Sequence, residues 1–198
     1  APIGRETVLN HIDDGIFERH DGAVVYRGEK DGLHTRVFVT KEDYATYEAK
    51  DLALVDVKYK DFPYDKSIII TAHEQAPYFQ VMLSALRRIN PDLAAKTEHD
   101  SFGFVSLKDG KMSSRTGNVI TGEWLLEEAK KQILEQFKDM DDKTAEVVAM
   151  GAVKYSMLKF AKESDIAFSF HDSINLEGNS GPYLQYTYVR TQSVIRKT

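Results

Sequence analysis

The sequence predicts an α/β fold: half of a doubly wound parallel sheet, followed by a helical region. Residues 67–71, SIIIT, form a short β-branched run with an apolar centre, which is typical of a strand covered on both faces in a parallel sheet. A helix is predicted from about Pro77, and a second strand is predicted over residues 102–107. The order strand, helix, strand is the unit from which such sheets are built.

The composition is that of a folded globular protein. The chain has 198 residues, of which 42% are hydrophobic, enough for one large core or two small ones. It has no cysteine, which excludes disulfides, thiolate metal sites and a thiol nucleophile. The net charge of -5 argues against a nucleic-acid-binding surface over the whole chain, so any RNA contact must be local. With no signal-like N-terminus and no long apolar run, we expect a cytoplasmic protein without a membrane partner.

The first third of the chain is predicted to contain a helix and a hairpin. Residues 5–20 carry apolar side chains at roughly helical spacing. Residues 23–27 and 35–40 are β-branched runs joined by the polar segment GEKDGLH, which predicts two antiparallel strands. No candidate chemistry falls in this part of the chain.

Two helices flank the SIIIT strand. The pattern over residues 44–57 is helical and stops at the turn around Phe62-Pro63. The helix from Pro77 carries apolar residues on one side and is broken by Asn90-Pro91. The first of these helices therefore precedes the strand, and the second leads from it to the next strand.

The last part of the chain is predicted to be helix packed on helix. Thr121 is placed to cap the first of these helices, and Thr144 is placed to cap the second. Residues 165–170 alternate as a short strand does. A final helix follows, with Pro182 in its first turn and Asn179 or Ser180 as its cap.

A cationic, hydroxyl-rich loop, DGKMSSRTGN over residues 109–118, lies between the second strand and the helix after Thr121. It offers an ammonium, two hydroxyls and a planar guanidinium, which are groups that bind a polyphosphate; they belong to Lys111, Ser113, Ser114 and Arg115. It is not a Walker loop, because Met112 stands where that motif requires serine or threonine. The chain also lacks the Gly-x-Gly-x-x-Gly dinucleotide fingerprint.

A phenol and a carboxylate share one face of the helix predicted over residues 44–57. Tyr47 and Asp51 are four residues apart, so their side chains are neighbours on that helix. The carboxylate is suited to a two-pronged hydrogen bond from a guanidinium, and the ring is suited to packing on its plane. Taken without context, this spacing more often belongs to a surface pair or to a tyrosine at the edge of the core.

Gln75 follows the SIIIT strand, where an open parallel sheet presents its ligands. Its amide offers both a donor and an acceptor to a polar substrate. His73 and Glu74 beside it do not form a zinc motif, because His-Glu-x-x-His would need a histidine at Pro77. We therefore predict no metal site in this segment.

These segments together resemble the arginyl-tRNA synthetase family. KMSSRTGN, residues 111–118, resembles the Lys-Met-Ser loop of class I aminoacyl-tRNA synthetases and most closely that of the arginyl enzyme. YEAKDLA, residues 47–53, is similar to the helix of the family's arginine pocket, and AHEQ, residues 72–75, to its amino-acid-facing strand end. EGNSGPYLQYTYVR, residues 177–190, resembles the junction before the anticodon-binding domain. The resemblance covers most of the chain and is loose before Tyr44.

The resemblance implies a two-step reaction in the complete enzyme. Arginine and ATP, the latter with Mg²⁺, give arginyl-adenylate and pyrophosphate, and arginine then passes to the 3′ end of tRNA(Arg). The family assigns arginine binding to Tyr47, Asp51 and Gln75. It assigns ATP binding to Lys111, Met112, Ser113, Ser114 and Arg115, with Lys111 and Arg115 in catalytic roles. Ser114 departs from the family pattern, which often has a second lysine there, so either Arg115 or a group outside the fragment supplies that charge. The resemblance also implies a full-length chain that is monomeric.

The family's other signature, a His-Ile-Gly-His type motif, is absent, since none of the six histidines occurs in a His-x-Gly-His pattern. We therefore expect a fragment that is inactive in isolation. Residues 1–43 are predicted to belong to a connecting insertion, and residues 44–122 to the second half of the nucleotide-binding fold. Residues 123–198 are predicted to form the helical stem-contact region and the start of the anticodon-binding domain.

Two other interpretations stay open at the level of sequence. One is a non-catalytic RNA-binding or docking protein that retains a degenerate half of a synthetase. The other is a different class I synthetase, which the pairing of Tyr47 with Asp51 disfavours.

Overall fold

The computed structural model describes residues 2–108 and 121–197. The chain divides into two compact units, Ala1–Phe102 and Gly103–Thr198. The whole of the predicted phosphate-binding loop, residues 109–118, lies outside the described residues. Within the described ranges, no helix combines the length and the apolar composition that crossing a bilayer requires.

The first unit begins with a helix and a small antiparallel sheet. Helix α1 spans Pro2–Asn10. Strands β1, β2 and β3 pair in that order and span Glu18–His20, Ala23–Tyr26 and Arg36–Val39. A 3₁₀ turn at Gly28–Asp31 lies between β2 and β3, which pair antiparallel. The predicted hairpin is confirmed.

The helix predicted over residues 5–20 is wrong in its second half. Helix α1 ends at Asn10, and β1 occupies the end of the predicted range. Gly15 adopts a left-handed backbone with φ of 70°, which is incompatible with a continuing right-handed helix. Phe17 is buried against the rings of Phe38 and Tyr26, at centroid distances of 5.0 and 6.0 Å. Tertiary burial of this ring overrides the apparent helical spacing.

The rest of the first unit is a parallel strand pair with helices. Helix α2 spans Tyr47–Asp61, β4 spans Ser67–Ala72 and α3 spans Ala76–Ile89. Helix α4, Pro91–Lys96, leads into β5, Thr97–Phe102. Strands β4 and β5 are parallel, with Ser67 opposite Thr97 and Ala72 opposite Phe102. The predicted parallel strand unit is confirmed.

The strand predicted over residues 102–107 is wrong in its extent. Strand β5 ends at Phe102, and a separate strand, β6, spans Val105–Leu107 in the second unit. The sequence of β5, TEHDSF, is polar and carries no apolar alternation that would reveal it. Its polar groups are paired across the sheet, as in the 2.8 Å contact between Thr71 Oγ1 and His99 Nε2.

Strand β4 is covered on one face only within the described residues, which differs from the predicted burial on both faces. Helix α3 lies on the face that carries His99, whose ring stacks on Phe79 at 4.3 Å. On the other face, Ile68, Ile70 and Phe102 are 53%, 66% and 45% exposed. A doubly wound sheet normally buries both faces under helices, and here one apolar face is open.

A single core joins the elements of the first unit. It contains buried side chains from α1, β2, β3, α2, α3 and α4, among them Val8, Val24, Phe38, Leu52, Met82 and Leu93. The antiparallel sheet and the helices of this unit are therefore held by shared apolar contacts, and Ile69 of β4 packs against the same core. This common core fixes the position of α2 and α3 relative to β3.

The second unit is helical around a short parallel pair. Strand β6 pairs with β7, Ile166–Phe168. Helices α5, α6, α7 and α8 span Gly122–Gln136, Asp142–Leu158, Phe170–Ile174 and Gly181–Ile195. The buried side chains come mainly from α5, α6 and β7, including Leu125, Ile133, Ala149 and Phe168. The predicted helical region is confirmed.

Side-chain caps define the starts of these helices. Thr121 accepts a hydrogen bond from the backbone N–H of Trp124, and Ser180 accepts one from that of Tyr183, as predicted. Thr144 is not a cap, which corrects the prediction. Asp141 caps α6 instead, accepting from the backbone N–H of Thr144 at 3.0 Å. An aspartate cap also places negative charge at the positive end of the helix dipole.

Helices α6 and α8 approach closely where two glycines meet. A Cβ built on Gly181 would lie 2.2 Å from the backbone oxygen of Gly151, closer than real side chains come. The contact therefore requires glycine at position 181 for its lack of a side chain.

We expect Gly181→Ala to destabilise the second unit by about 2 kcal/mol, because the added methyl group forces α6 and α8 apart. Urea denaturation followed by the fluorescence of Trp124, the single tryptophan, measures this. Gly122→Ala is the matched control, since a Cβ at Gly122 meets no atom within 4 Å. Equal midpoints for the two variants would contradict the close approach.

Candidate functional site

The start of helix α2 is anchored to strand β3. The Thr46 hydroxyl donates to the backbone oxygen of Val37 at 3.0 Å, and the Thr46 N–H donates to that of Phe38, also at 3.0 Å. Tyr47 is the first residue of α2, and Asp51 lies one turn further along. The two predicted side chains therefore project from a helix end that is fixed by the sheet.

Asp51 is held by a tyrosine from the neighbouring helix. The hydroxyl of Tyr78, in the first turn of α3, donates to Asp51 Oδ2 at 2.5 Å. Tyr78 is buried, whereas Asp51 is partly exposed. Burial raises the pKa of the Tyr78 phenol far above its ordinary value, and the hydrogen bond to Asp51 raises it further. Tyr78 is thus a neutral donor at any physiological pH.

An ion pair lies beside this hydrogen bond. Arg36 of β3 donates from Nη1 to Glu48 Oε1 at 2.7 Å, and Glu48 is buried. The Arg36 guanidinium carbon lies 5.4 Å from the centroid of the Tyr78 ring, within the range of a cation–π contact. Arg36 also donates from Nε to His34 Nε2 at 2.7 Å. Strand β3 therefore supports the Tyr78 ring from the side.

Sequence reasoning missed Tyr78, Arg36 and Glu48. Tyr78 pairs with a residue 27 positions away, and Arg36 pairs with one 12 positions away. Spacing within a single helix or strand cannot reveal contacts between residues this far apart in the sequence. The one available signal is that Tyr78 follows Gln75 by a single helical turn.

Gln75 lies at the same end of α3. It closes a 3₁₀ turn, His73–Gln75, between β4 and α3, and its side chain is exposed. Since Tyr78 is three residues further on, the residue that holds Asp51 and the predicted amide come from adjacent turns. The structure therefore brings Asp51 and Gln75 to one end of α3, beyond the carboxyl end of β4.

Tyr47 is the most open member of the group. It is 75% exposed, and the Lys50 ammonium lies 4.8 Å from its ring centroid. An exposed ring that already lies near a cation is suited to packing against a planar cation. Together, Tyr47 and Asp51 can recognise a guanidinium by stacking and by charge-assisted hydrogen bonds.

A cavity of about 430 Å³ lies on another face of α3. Its lining includes His99, Ser101, Gln80 and Arg87, and it reaches Ala76, the first residue of the helix. Of the predicted site residues that the structure describes, which are Tyr47, Asp51 and Gln75, none lines this cavity. Asp51 instead lies on the face of α3 that carries Tyr78.

The residues predicted to bind phosphate all belong to the loop at residues 109–118. Lys111, Met112, Ser113, Ser114 and Arg115 lie outside the described residues. Their roles stay predictions from the sequence.

Comparison with known proteins identifies relatives over nearly the whole chain. Residues 5–170 match the family model described as "tRNA synthetases class I (R), catalytic domain". The chain is 32% identical to the arginine–tRNA ligase of Bacteroides thetaiotaomicron and 31% identical to that of Porphyromonas gingivalis. Each match covers 98% of this chain and 34% of the relative. The chain thus spans about a third of the length of these curated relatives.

Solved structures agree on the fold. The arginyl-tRNA synthetase of Thermus thermophilus superposes with a TM-score of 0.75 at 24% identity, over 98% of this chain and 40% of that one. The arginyl-tRNA synthetase of Plasmodium falciparum gives a TM-score of 0.72 at 25% identity, over 98% of this chain and 34% of that one.

We expect Tyr78→Phe to lower the free energy of unfolding by about 2 kcal/mol at pH 8, because a hydrogen bond to a carboxylate is lost. Since the pKa of Tyr78 is raised on folding, its stabilising contribution is complete below about pH 10 and falls as the pH rises further. The difference between wild type and variant should therefore shrink by roughly 1 kcal/mol at pH 10.5.

Urea denaturation followed by circular dichroism at the two pH values measures this difference. Tyr47→Phe is the control at pH 8, where removal of an exposed hydroxyl should leave the midpoint unchanged. A difference between wild type and Tyr78→Phe that grows with pH would show that the phenol is not held in its neutral form.

Proposed function

Because the chain belongs to the family of class I arginine-type tRNA synthetase catalytic domains, we propose that it forms part of an arginyl-tRNA synthetase. The full-length protein would form arginyl-adenylate from arginine and ATP and then transfer arginine to the 3′ end of tRNA(Arg). The observation that carries the proposal is the partly exposed Asp51, held by Tyr78 at the end of α3 where Gln75 lies.

Recognition of arginine rests on complementary charge and shape. Asp51 accepts hydrogen bonds from the guanidinium, and the Tyr47 ring packs on its plane. The Gln75 amide, beyond the carboxyl end of β4, is placed for the polar groups at the other end of the amino acid. Lysine offers a compact ammonium that matches such a planar site poorly, so the arrangement favours arginine.

ATP binding is assigned to residues 111–115. Lys111 stabilises the charge that develops on the β and γ phosphates during displacement, and Arg115 supplies a second positive charge beside Ser114. Mg²⁺ enters with the ATP phosphates. Residues 2–108 and 121–197 contain no group of three histidine or acidic side chains arranged to hold a metal ion.

We assign three consecutive regions of the chain to parts of the full-length enzyme. Residues 1–43 belong to a connecting insertion, and residues 44–122 form the second half of the nucleotide-binding fold. Residues 123–198 contact the tRNA stem and lead into the anticodon-binding domain. We infer a monomeric, cytoplasmic enzyme.

Replacing Asp51 with alanine in the full-length protein that carries this sequence should raise the KM for arginine by about 100-fold or more, since the guanidinium loses a paired carboxylate. Arginine-dependent ATP–pyrophosphate exchange measures it. Asp56→Ala is the matched control, because Asp56 lies on the same helix and pairs with Lys60 at 2.6 Å. Its KM should match that of the wild type.

Three results would contradict the proposal in different ways. Exchange that depends on another amino acid would indicate a different class I synthetase. Affinity for tRNA without any exchange would indicate an RNA-binding or docking protein. An unchanged arginine KM in Asp51→Ala would place the arginine pocket elsewhere.

Lys111→Ala should lower the kcat of pyrophosphate exchange by about 100-fold while the KM for ATP changes by less than about tenfold, because the lysine acts mainly in the transition state. Lys108→Ala is the control: Lys108 lies just before the loop and contacts Asp172 at 3.3 Å. An adenylate-forming rate that survives Lys111→Ala would remove the role given to this residue.

A further inference from the structure

We propose that Tyr78 is a positioning residue for arginine recognition, which fixes the Asp51 carboxylate in the orientation that receives the guanidinium. The inference rests on the proposed function and adds a residue that spacing within α2 does not reveal. Its basis is one hydrogen bond, the burial of its donor and the charges around it.

The hydrogen bond restricts a side chain that is otherwise free to rotate. Asp51 is partly exposed on α2, and a carboxylate in that setting samples several rotamers. The Tyr78 hydroxyl holds Oδ2 at 2.5 Å, whereas Oδ1 accepts no hydrogen bond from the described residues. Among the described residues, one oxygen is therefore held by Tyr78, and the other keeps its lone pairs for a ligand.

The donor itself is rigid. The Tyr78 ring is buried, packs edge-on against Phe79 at a centroid distance of 4.7 Å and lies under the Arg36 guanidinium. These contacts come from α3 and β3, whereas Asp51 is on α2. Through this hydroxyl, the position of the carboxylate is set by α3 and β3. A precise binding site requires support of this kind from neighbouring elements.

The choice of donor preserves the charge of the carboxylate. A lysine or arginine in place of Tyr78 would orient Asp51 equally well but would also neutralise it, and so weaken its attraction for a cationic substrate. The phenol donates without carrying charge. Arg36, a cation beside the Tyr78 ring, is paired with the buried Glu48 at 2.7 Å, and the Lys50 ammonium lies over the Tyr47 ring. Asp51 thus keeps a net negative charge for the ligand.

The same hydrogen bond links the two residues that the proposed function assigns to opposite ends of arginine, Asp51 and Gln75. Tyr78 is one helical turn after Gln75, and Asp51 is on a different helix. Loss of the hydroxyl releases the guanidinium-binding group from the element that begins next to Gln75. We therefore expect the variant to affect arginine binding more than the chemical step.

The test is arginine-dependent ATP–pyrophosphate exchange by the full-length protein with Tyr78→Phe, which keeps the ring and its contact with Arg36. We expect the KM for arginine to rise about tenfold, while kcat and the KM for ATP change by less than about threefold. Tyr59→Phe is the matched control. Tyr59 lies further along the same helix, α2, but its hydroxyl accepts from Lys96 at 3.0 Å and is not bonded to Asp51, so its loss should leave the KM for arginine unchanged.

A double-mutant cycle with Asp51→Asn separates positioning from a general structural role. If Tyr78 acts through Asp51, Tyr78→Phe should raise the KM for arginine by less than about twofold in the Asp51→Asn background. A tenfold rise in both backgrounds would overturn the inference. A thermal denaturation scan of each variant shows whether it is folded at the assay temperature.

The outcomes distinguish the inference from the function on which it rests. Arginine-dependent exchange by the wild type, with an unchanged arginine KM in Tyr78→Phe, would overturn the role of Tyr78 alone. Absence of arginine-dependent exchange in the wild type would overturn the proposed function and this role with it. A fall in kcat at constant KM would also overturn positioning, because it would place Tyr78 in the chemical step.

Discussion

The position of helix α3 between α2 and the parallel strand pair is the constraint on which the first unit depends. One side of α3 stacks Phe79 on His99 of β5, and another side places the Tyr78 hydroxyl on Asp51 of α2. Because the sequence register of a helix is rigid, these two contacts fix each other. The start of α3, where Gln75 lies, is then set relative to both the sheet and the carboxylate. A shift of α3 along its axis would therefore disturb both Asp51 and Gln75.

The antiparallel sheet participates in the same constraint, although its sequence shows no chemistry. Arg36 of β3 contacts Glu48 and the Tyr78 ring, and Thr46 anchors the start of α2 to the backbone of β3. The ion pair is partly buried and so costs desolvation energy, and its role is better explained by the geometry it imposes than by net stability. A second network, in which Tyr26 of β2 contacts Ser84 of α3 at 2.7 Å, connects the sheet to α3 in the same way. The first third of the chain thus acts as a support for the site.

The sequence predicted those parts of the fold that have a local signal. The SIIIT strand, the helices on either side of it and the Thr121 and Ser180 caps follow from periodicity and capping residues close in sequence. Strand β5 was missed because its side chains are polar and are satisfied only across the sheet, as His99 is by Thr71. The end of α1 was missed because the position of Phe17 is set by its packing against other aromatic rings, which come together only on folding. For the predicted site, the family resemblance singled out Tyr47 and Asp51, whose spacing alone was a weak signal, whereas Tyr78 was hidden by a separation of 27 residues.

The two substrates of the proposed reaction impose opposite electrostatic demands, since arginine is a cation and ATP is a polyanion. The chain separates the corresponding groups along its sequence: Asp51 lies in α2, and the cations Lys111 and Arg115 lie sixty or more residues later. Both sites can work only if the carboxylate and the cations do not neutralise each other before the substrates bind. Within the first unit this condition is met by pairing Arg36 with Glu48 and by giving Asp51 a neutral partner. Charge at the proposed arginine site is therefore controlled by which residue donates the hydrogen bond to Asp51, and a phenol orients a carboxylate while leaving its charge available.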